Sequence, residues 1–285
     1  MTESPSRIVV GYDGSSGADA ALTWAAQEAA NGSDAPAELR VVLVGTAMDP
    51  VLSGYRHVMD RAVEDWRAGL SERLAALGRA DATVEVRHGT VVPELLAAAE
   101  KASLLVVGSA GHGLATGTWT GSVSQHLARH AACPVVVVRP RHSTVVDRIV
   151  VGVDDSPASA KALRFACERA RRTGEEVSAV HGYFSALAHV LTFDGAESEV
   201  ADRRRAAAEQ LVKDLCRECA AEFPDVEIEP EAIPVRAGQV LVDASRAASL
   251  VVVGSRGRDA FSEMLLGSVS QHVLGHAQCP VAIVR

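Results

Sequence analysis

Residues 121–139 read GSVSQHLARHAACPVVVVR, and residues 267–285 read GSVSQHVLGHAQCPVAIVR. The segments before them match at the same offset, since SLLVVGSAG begins at Ser103 and SLVVVGSRG begins at Ser249. Matches of this length at a fixed spacing indicate an internal duplication, which governs any interpretation of the remaining sequence.

The two copies also share their opening segments. RIVVGYDGS begins at Arg7, and RIVVGVDDS begins at Arg148. The join near Pro140 is polar and contains proline, as is typical of a linker. A chain of 285 residues is also long enough for two domains of ordinary size. We therefore predict two tandem domains, residues 1–141 and 142–285.

Short apolar segments alternate with amphipathic segments in both copies. The segments VVVV (135–138) and LVVV (250–253) are continuously apolar, which is typical of parallel strands covered by helices on both faces. Alternating strands and helices predict a doubly wound, Rossmann-like α/β domain in each copy, with a five-stranded parallel sheet flanked by helices. Strands are predicted at 8–12, 39–45, 83–87, 104–108, 135–139, 149–153, 177–183, 226–233, 250–254 and 281–285.

One helix of the first copy is predicted from apolar spacing alone. We expect a helix near Arg56–Leu77 whose buried face carries the apolar residues that recur at helical spacing: Val58, Ala62, Trp66, Leu70, Leu74 and Leu77.

Composition excludes several function classes. The formal net charge is −8, so a non-specific nucleic-acid partner is not expected. The N-terminal segment MTESPSR has no apolar signal region, and no apolar stretch reaches the roughly 20 residues that span a bilayer. Five cysteines, an odd number, are typical of reduced thiols. We expect a cytoplasmic protein without a membrane partner.

A glycine motif of the form G-x2-G-x9-G-S follows the fourth strand of each copy. It contains Gly108, Gly111 and Gly121-Ser122 in the first copy, and Gly254, Gly257 and Gly267-Ser268 in the second. Glycine lets backbone N–H groups face a ligand, and the helix that follows offers its N-terminal N–H groups to an anion. Ser122, Ser124, Ser268 and Ser270 are candidate hydroxyl donors. The alternative is that these residues only end a strand and cap a helix. Recurrence of the spaced set, while the nine intervening residues differ, favours phosphate binding.

An aspartate ends the first strand of each copy. Asp13 and Asp154 are predicted at the same sheet edge as the glycine motifs, where a carboxylate can accept a hydrogen bond from a ribose hydroxyl or a base amine. Helix capping is the alternative role for Asp. Ser15 and Ser156 stand closer to the helix starts, so we expect them to be the caps.

These motifs, together with Cys-Pro-Val before the last strand, resemble the universal stress protein family in the tandem form found in actinobacteria. The resemblance covers both copies and implies that each binds ATP, with Mg²⁺ as the accompanying ion. The residues that it implicates in the first copy are Gly11, Asp13, Val44, Gly108, Ser109, Ala110, Gly111, Gly121, Ser122, Val123 and Ser124. Those in the second copy are Gly152, Asp154, Gly182, Gly254, Ser255, Arg256, Gly257, Arg258, Gly267, Ser268, Val269 and Ser270.

The resemblance implies a nucleotide-dependent regulator of stress survival or growth, not an enzyme, that forms a homodimer and acts on an unidentified protein partner. Arg256 and Arg258 give the second loop fixed positive charge, so we expect this copy to hold a triphosphate more tightly. A slow ATP hydrolase or nucleotidyl-transfer enzyme on the same fold is the alternative. A duplicated scaffold that binds no nucleotide is a third hypothesis.

Two further patterns do not predict sites. His126-x3-His130-x2-Cys133 recurs as His272-x3-His276-x2-Cys279, but each cysteine precedes a core strand, where a thiol is usually buried, so no metal site is predicted. Cys216 and Cys219 form a lone C-x2-C inside a helical stretch, without the second pair that zinc needs or the strand that precedes a thioredoxin motif.

Overall fold

A computed structural model of the chain describes residues 6–31, 36–45, 56–110, 121–139, 147–184, 196–257 and 265–285. The chain divides into two compact units, Met1–Arg139 and Pro140–Arg285. We call them the first and second domains. Among the described residues, no helix combines the length and the apolar character that crossing a membrane requires.

The first domain is a parallel sheet in the order β3-β2-β1-β4-β5, with helices between successive strands. Its elements are β1 (Arg7–Tyr12), α1 (Ser16–Ala30), β2 (Glu38–Gly45), α2 (Arg56–Ala76), β3 (Thr83–His88), α3 (Val91–Ala99), β4 (Leu104–Gly108), α4 (Ser122–His130) and β5 (Val135–Val138).

The second domain repeats this arrangement in the order β8-β7-β6-β9-β10, again with parallel pairing. Its elements are β6 (Arg148–Gly152), α5 (Pro157–Thr173), β7 (Glu176–Gly182), α6 (Ala196–Glu222), β8 (Ile228–Ile233), α7 (Ala237–Ala244), β9 (Leu250–Gly254), α8 (Ser268–His276) and β10 (Val281–Val284).

The predicted α/β class and the doubly wound arrangement are confirmed. Every predicted strand is present, and its ends lie within two residues of the predicted ones. The four valines of β5 are all buried, as expected for a strand with helices on both faces. In each sheet the strand order reverses beside the first strand, so the carboxyl ends of β1 and β4, and of β6 and β9, border a crevice.

The prediction for the buried face of α2 is partly wrong. Leu70 and Leu74 are each 2% exposed, but Trp66 is 51% exposed. Leu77 is half-buried, and the side chains of Val58 and Ala62 lie outside the described residues. The Trp66 ring lies against the backbone of Gly14, where a Cβ atom would come within 3.1 Å of its Cη2 atom. Trp66 therefore covers the turn after β1 instead of entering the core.

Candidate functional site

Each domain has a cavity at the crevice where its strand order reverses. The first-domain cavity has a volume of about 310 Å³, and the second-domain cavity has a volume of about 340 Å³. Both values fall within the ordinary range for small-molecule sites. The described residues that line them include most of the predicted positions: Gly11, Asp13, Val44, Gly108, Ala110 and Gly121–Ser124 in the first domain, and Gly152, Asp154, Gly182, Gly254, Arg256, Gly257 and Gly267–Ser270 in the second.

Two predicted positions, Ser109 and Ser255, are not among the described residues that line the cavities; they are 8% and 4% exposed. Gly111 and Arg258 lie outside the described residues.

The two aspartates organise the turns at which α1 and α5 begin. Oδ1 of Asp13 accepts hydrogen bonds from the backbone N–H of Ser15 (3.0 Å) and from its hydroxyl (2.6 Å). Oδ1 of Asp154 accepts one from the N–H of Ser156 (3.0 Å). Ser15 and Ser156 are the N-caps, as predicted, and accept hydrogen bonds from the N–H groups of Ala18 and Ser159. Each aspartate is thus held at the cavity wall as a positioned acceptor.

Gly108 and Gly254 allow close packing of a helix on a strand. A Cβ atom at Gly108 would lie 2.5 Å from the carbonyl carbon of Gly17, and one at Gly254 would lie 2.9 Å from that of Ala158. Such distances are too short for any side chain, so glycine brings the start of α1 or α5 directly against the strand end. Both glycines line the cavities, and the close packing of a helix is a further reason for glycine at these two positions.

At residue 257, glycine is needed because of a neighbouring side chain and not because of a helix backbone. A Cβ atom there would lie 2.6 Å from Oδ2 of Asp154. The loop backbone can approach this carboxylate only because residue 257 lacks a side chain. The second glycine of the motif therefore joins the aspartate and the loop into one wall.

The helices α4 and α8 begin at the cavity mouth in the same way. Gly121 and Gly267 are their N-caps, and the N–H of each donates to the carbonyl of Ser109 (2.6 Å) or Ser255 (2.7 Å). No side chain at either N-cap bonds the first-turn N–H groups. The N–H groups of a first helical turn have no partner within the helix, so they favour an anion.

The serines of these helices differ in exposure and role. The hydroxyl of Ser124 donates to the carbonyl of Gly108, and that of Ser270 donates to the carbonyl of Gly254, both at 2.6 Å. Ser122 and Ser268 are exposed at the cavity mouth. The hydroxyl protons of Ser124 and Ser270 therefore fix the helix on the strand, while Ser122 and Ser268 are placed to donate to a ligand.

Apolar side chains also line each cavity, and few of them were predicted from the sequence. They include Val42, Val44, Val91, Leu95 and Val107 in the first domain, and Val180, Ala237, Leu241 and Val253 in the second. Strand alternation places Val42 on the same face as Val44, so that signal was present. The α3 and α7 residues reach the cavity through tertiary packing, which the local sequence does not reveal.

The second domain is differently shaped where Gly182 replaces Val44. Gly11 pairs with Val42, and Gly152 pairs with Val180. Val44 and Gly182 each stand two residues further along the strand, so they occupy corresponding positions in the two domains. A Cβ atom at Gly182 would lie 2.5 Å from Cα of Ala237. The backbone of α7 thus occupies the space that a side chain takes in the first domain.

Tyr12, which lines the first-domain cavity, belongs to a partly buried hydrogen-bond network. Its hydroxyl donates to Oδ1 of Asp19 (2.7 Å) and accepts from Nη1 of Arg73 (3.3 Å), while Arg73 and Asp19 form an ion pair of 2.8 Å. Burial and the hydrogen bond to Asp19 raise the pKa of Tyr12 to about 12. The hydroxyl therefore stays neutral at physiological pH and holds β1, α1 and α2 together.

His181 and Arg256 distinguish the second-domain cavity. Nδ1 of His181 donates to the carbonyl oxygen of Val153 (2.8 Å), which fixes the orientation of the ring at the cavity wall. In the first domain, Leu43 occupies the position that corresponds to His181. Arg256 is the one Arg or Lys side chain among the described residues that line the two cavities, and Ala110 occupies its place in the first.

The histidine pairs lie on the helices that follow the motif. The rings of His126 and His130 stack at 6.1 Å between centroids, and those of His272 and His276 stack at 4.5 Å. Within the described ranges, no group of three His, Cys, Asp or Glu residues is arranged to hold a metal ion.

Comparisons with known proteins agree with the duplicated architecture. Residues 5–139 and 146–285 each match the universal stress protein family. Two universal stress proteins of Mycobacterium tuberculosis are 32% and 33% identical to the chain, over 98% of its length and 96% and 94% of theirs. The crystal structure of a universal stress protein from Archaeoglobus fulgidus DSM 4304 covers 98% of both chains with a TM-score of 0.68 at 22% identity, which supports the fold. The chain therefore belongs to the universal stress protein family, with one family domain in each half.

Proposed function

We propose that each domain binds ATP in its cavity and that the protein is a nucleotide-dependent regulator of stress survival or growth, not a catalyst. One observation carries the proposal. Both domains place a helix N-terminus that has no side-chain cap, held by the same serine–carbonyl hydrogen bond, at a cavity that is also lined by apolar side chains. A nucleotide has anionic phosphates at one end and a flat base at the other, so it matches both of these features.

Each part of the nucleotide has a matching part of the wall. The adenine lies against the valines and leucine of the apolar side, beside Val44 or Gly182. Asp13 and Asp154 accept hydrogen bonds from the ribose hydroxyls. The phosphates lie at the first turns of α4 and α8, where backbone N–H groups and the hydroxyls of Ser122 and Ser268 donate to them. Mg²⁺, which keeps much of its water shell, is held chiefly by the phosphates themselves.

The regulatory assignment rests on the side chains around the phosphate end. Hydrolysis needs a base positioned to activate water. Among the described cavity-lining residues, the carboxylates are Asp13 and Asp154, and each already accepts hydrogen bonds that order a helix start. These carboxylates therefore position the nucleoside and do not act on the terminal phosphate. We also propose that the chain forms a homodimer and that a protein partner distinguishes its ATP-bound form from its ATP-free form.

Thermal shift with fragments of the ligand tests this assignment. We expect Mg-ATP to raise the melting temperature more than either adenosine or inorganic triphosphate, because only ATP occupies both parts of the wall. Phosphate release measured in the same samples should stay below a few turnovers. Equal shifts by ATP and triphosphate would contradict the adenine assignment, and sustained release would favour the alternative of a hydrolase.

A further inference from the structure

Three buried cysteines of the second domain lie in neighbouring turns of two packed helices. Cys167 is on α5, and Cys216 and Cys219 are on α6; all three are free thiols. The Sγ atoms of Cys167 and Cys219 are 3.3 Å apart and in hydrogen-bond contact. The close partner of Cys219 is therefore Cys167, 52 residues away in sequence, and not its neighbour in the C-x2-C pattern.

The first domain has no cysteine at either of the two corresponding positions. Ala26 occupies the position of Cys167, as the offset between RIVVGYDGS and RIVVGVDDS shows. Leu74 stands nine residues before β3, as Cys219 stands nine residues before β8. Both first-domain residues are 2% exposed. The fold thus packs these positions with ordinary apolar side chains, and the facing thiols are particular to the second domain.

We propose that Cys167 and Cys219 are a peroxide-responsive dithiol that forms a disulfide between α5 and α6. A disulfide bond is about 2.05 Å long, so the two sulfur atoms must approach by little more than 1 Å. We expect side-chain rotation to supply this movement while the helices stay in place.

The environment of the two thiols indicates which one reacts first. Cys219 is 9% exposed, whereas Cys167 is 0% exposed, so a small oxidant reaches Cys219 first. The hydrogen bond with Cys167 lowers the pKa of Cys219, and the same hydrogen bond raises the pKa of Cys167. Burial raises the pKa of Cys216 to about 11. The thiolate is the nucleophile, so Cys219 is the attacking residue.

The oxidant is a hydroperoxide, and the reaction has two steps. The Cys219 thiolate attacks a peroxide oxygen; an S–O bond forms, the O–O bond breaks, and the departing hydroxide takes a proton to become water. The Cys167 sulfur then attacks the Cys219 sulfenic acid; the S–S bond forms, the S–O bond breaks, and the thiol proton leaves in a second water. Two thiols lose two electrons in total, and hydrogen peroxide is reduced to two waters.

Mass spectrometry of the full chain, treated with a modest excess of hydrogen peroxide, tests the proposal. Trypsin separates the three cysteines into peptides 165–169, 214–217 and 218–236, so every pairing gives a distinct linked peptide. We expect the loss of two hydrogen masses, a link between peptides 165–169 and 218–236, and reversal by dithiothreitol. A link between Cys216 and Cys219, or stable sulfinic acid on Cys219 while Cys167 stays free, would overturn the proposal.

Two variants and one physical measurement complete the test. Cys216→Ser should keep the link, and Cys167→Ala, which introduces the first-domain residue, should abolish it. In the wild-type chain the bond closes a long loop, so we expect oxidation to raise the melting temperature of the second domain by about 5 °C or more. This measurement needs no variant to fold, and an unchanged or lowered melting temperature would show that the native helices do not accommodate the bond.

Discussion

The motif glycines do not share one role, because each meets a different neighbour. Gly108 and Gly254 are required by the helix that packs against them, and Gly257 is required by the Asp154 carboxylate. Gly267 differs: the nearest atom to an added Cβ would be 3.5 Å away, and its φ of −70° suits any residue. A side chain at residue 267 is therefore tolerated by the fold, which makes this position suitable for testing the proposed anion site in front of the helix.

This difference makes Gly267→Asp a selective probe of the second site. Aspartate is a favoured N-cap residue, so we expect the variant to be at least as stable as the wild type. Its carboxylate would occupy the place of a phosphate, and we expect ATP affinity at this site to fall roughly tenfold or more. Calorimetric titration with Mg-ATP measures the change.

Gly267→Asn is the matched neutral control. Asparagine has nearly the same shape and caps the helix as well, but it carries no charge. We expect its loss of ATP affinity to be clearly smaller than that of Gly267→Asp. Equal losses would mean that bulk, and not an anion site, explains the effect.

Arg256 allows a second test of the phosphate end. We expect Arg256→Ala to weaken ATP binding in the second domain by roughly fivefold to tenfold and to reduce its salt dependence, while AMP binding changes little. Ala110→Arg, the reciprocal change, should strengthen ATP binding in the first domain. Titrations of both variants at low and high salt check this. A parallel loss for AMP and ATP would place Arg256 away from the terminal phosphates.

The hydroxyl of Ser124 joins helix α4 to the end of strand β4, a structural role that its position in the motif does not reveal. Ser124→Ala removes the hydrogen bond to the Gly108 carbonyl, and we expect it to lower the free energy of unfolding by about 1–3 kcal/mol. Ser122→Ala, an exposed change in the same helical turn, should cost less than about 0.5 kcal/mol. Urea unfolding distinguishes the two. A larger effect for Ser122 would reverse the roles assigned here.

A row of alternating charges crosses β1, β2 and β3 in the first domain. Glu38 lies 2.8 Å from Arg7 and 2.9 Å from Arg40, and Arg40 continues the row to Glu85 at 3.4 Å. The hydrogen bond from Arg7, followed by that from Arg40, lowers the pKa of Glu38 below its ordinary value. Cross-strand pairs of opposite charge stabilise neighbouring strands.

The lowered pKa predicts a pH dependence with a definite sign. Ionised Glu38 contributes its full stability above the ordinary glutamate pKa, and this contribution is lost as the pH falls through the lower pKa of the folded state. We expect Glu38→Gln to cost about 1 kcal/mol at pH 7 and progressively less in acid. Unfolding at several pH values measures this, with the exposed Glu100→Gln as control. A cost that is constant with pH would contradict the assignment.

The sequence predicted the sheets well because most of the central strands are short, largely apolar segments and because the strand pattern occurs twice in the chain. It predicted part of the polar wall because Asp13 and Gly108, and likewise Asp154 and Gly254, stand at or just after strand ends that a parallel sheet brings together. It failed where tertiary packing decides the outcome. Helical spacing alone could not show that Trp66 covers a turn, or that Leu95 and Leu241 reach the cavities from helices across the sheet.

Across the whole chain, duplication has kept the backbone frame and varied the side chains around it. The cap at the motif helix and the serine–carbonyl bond are the same in both domains. Tyr12 and its network belong to the first domain alone, while His181, Arg256 and the cysteine pair belong to the second. We therefore expect two nucleotide sites of unequal affinity and not two equivalent ones.

Calorimetric titration of Mg-ATP into the full-length chain, after removal of any carried nucleotide, tests the nucleotide proposal most directly. We expect two ATP molecules per chain in two resolvable steps, the tighter of which weakens roughly tenfold or more in Gly267→Asp. Absence of binding in a correctly folded, nucleotide-free chain would contradict it.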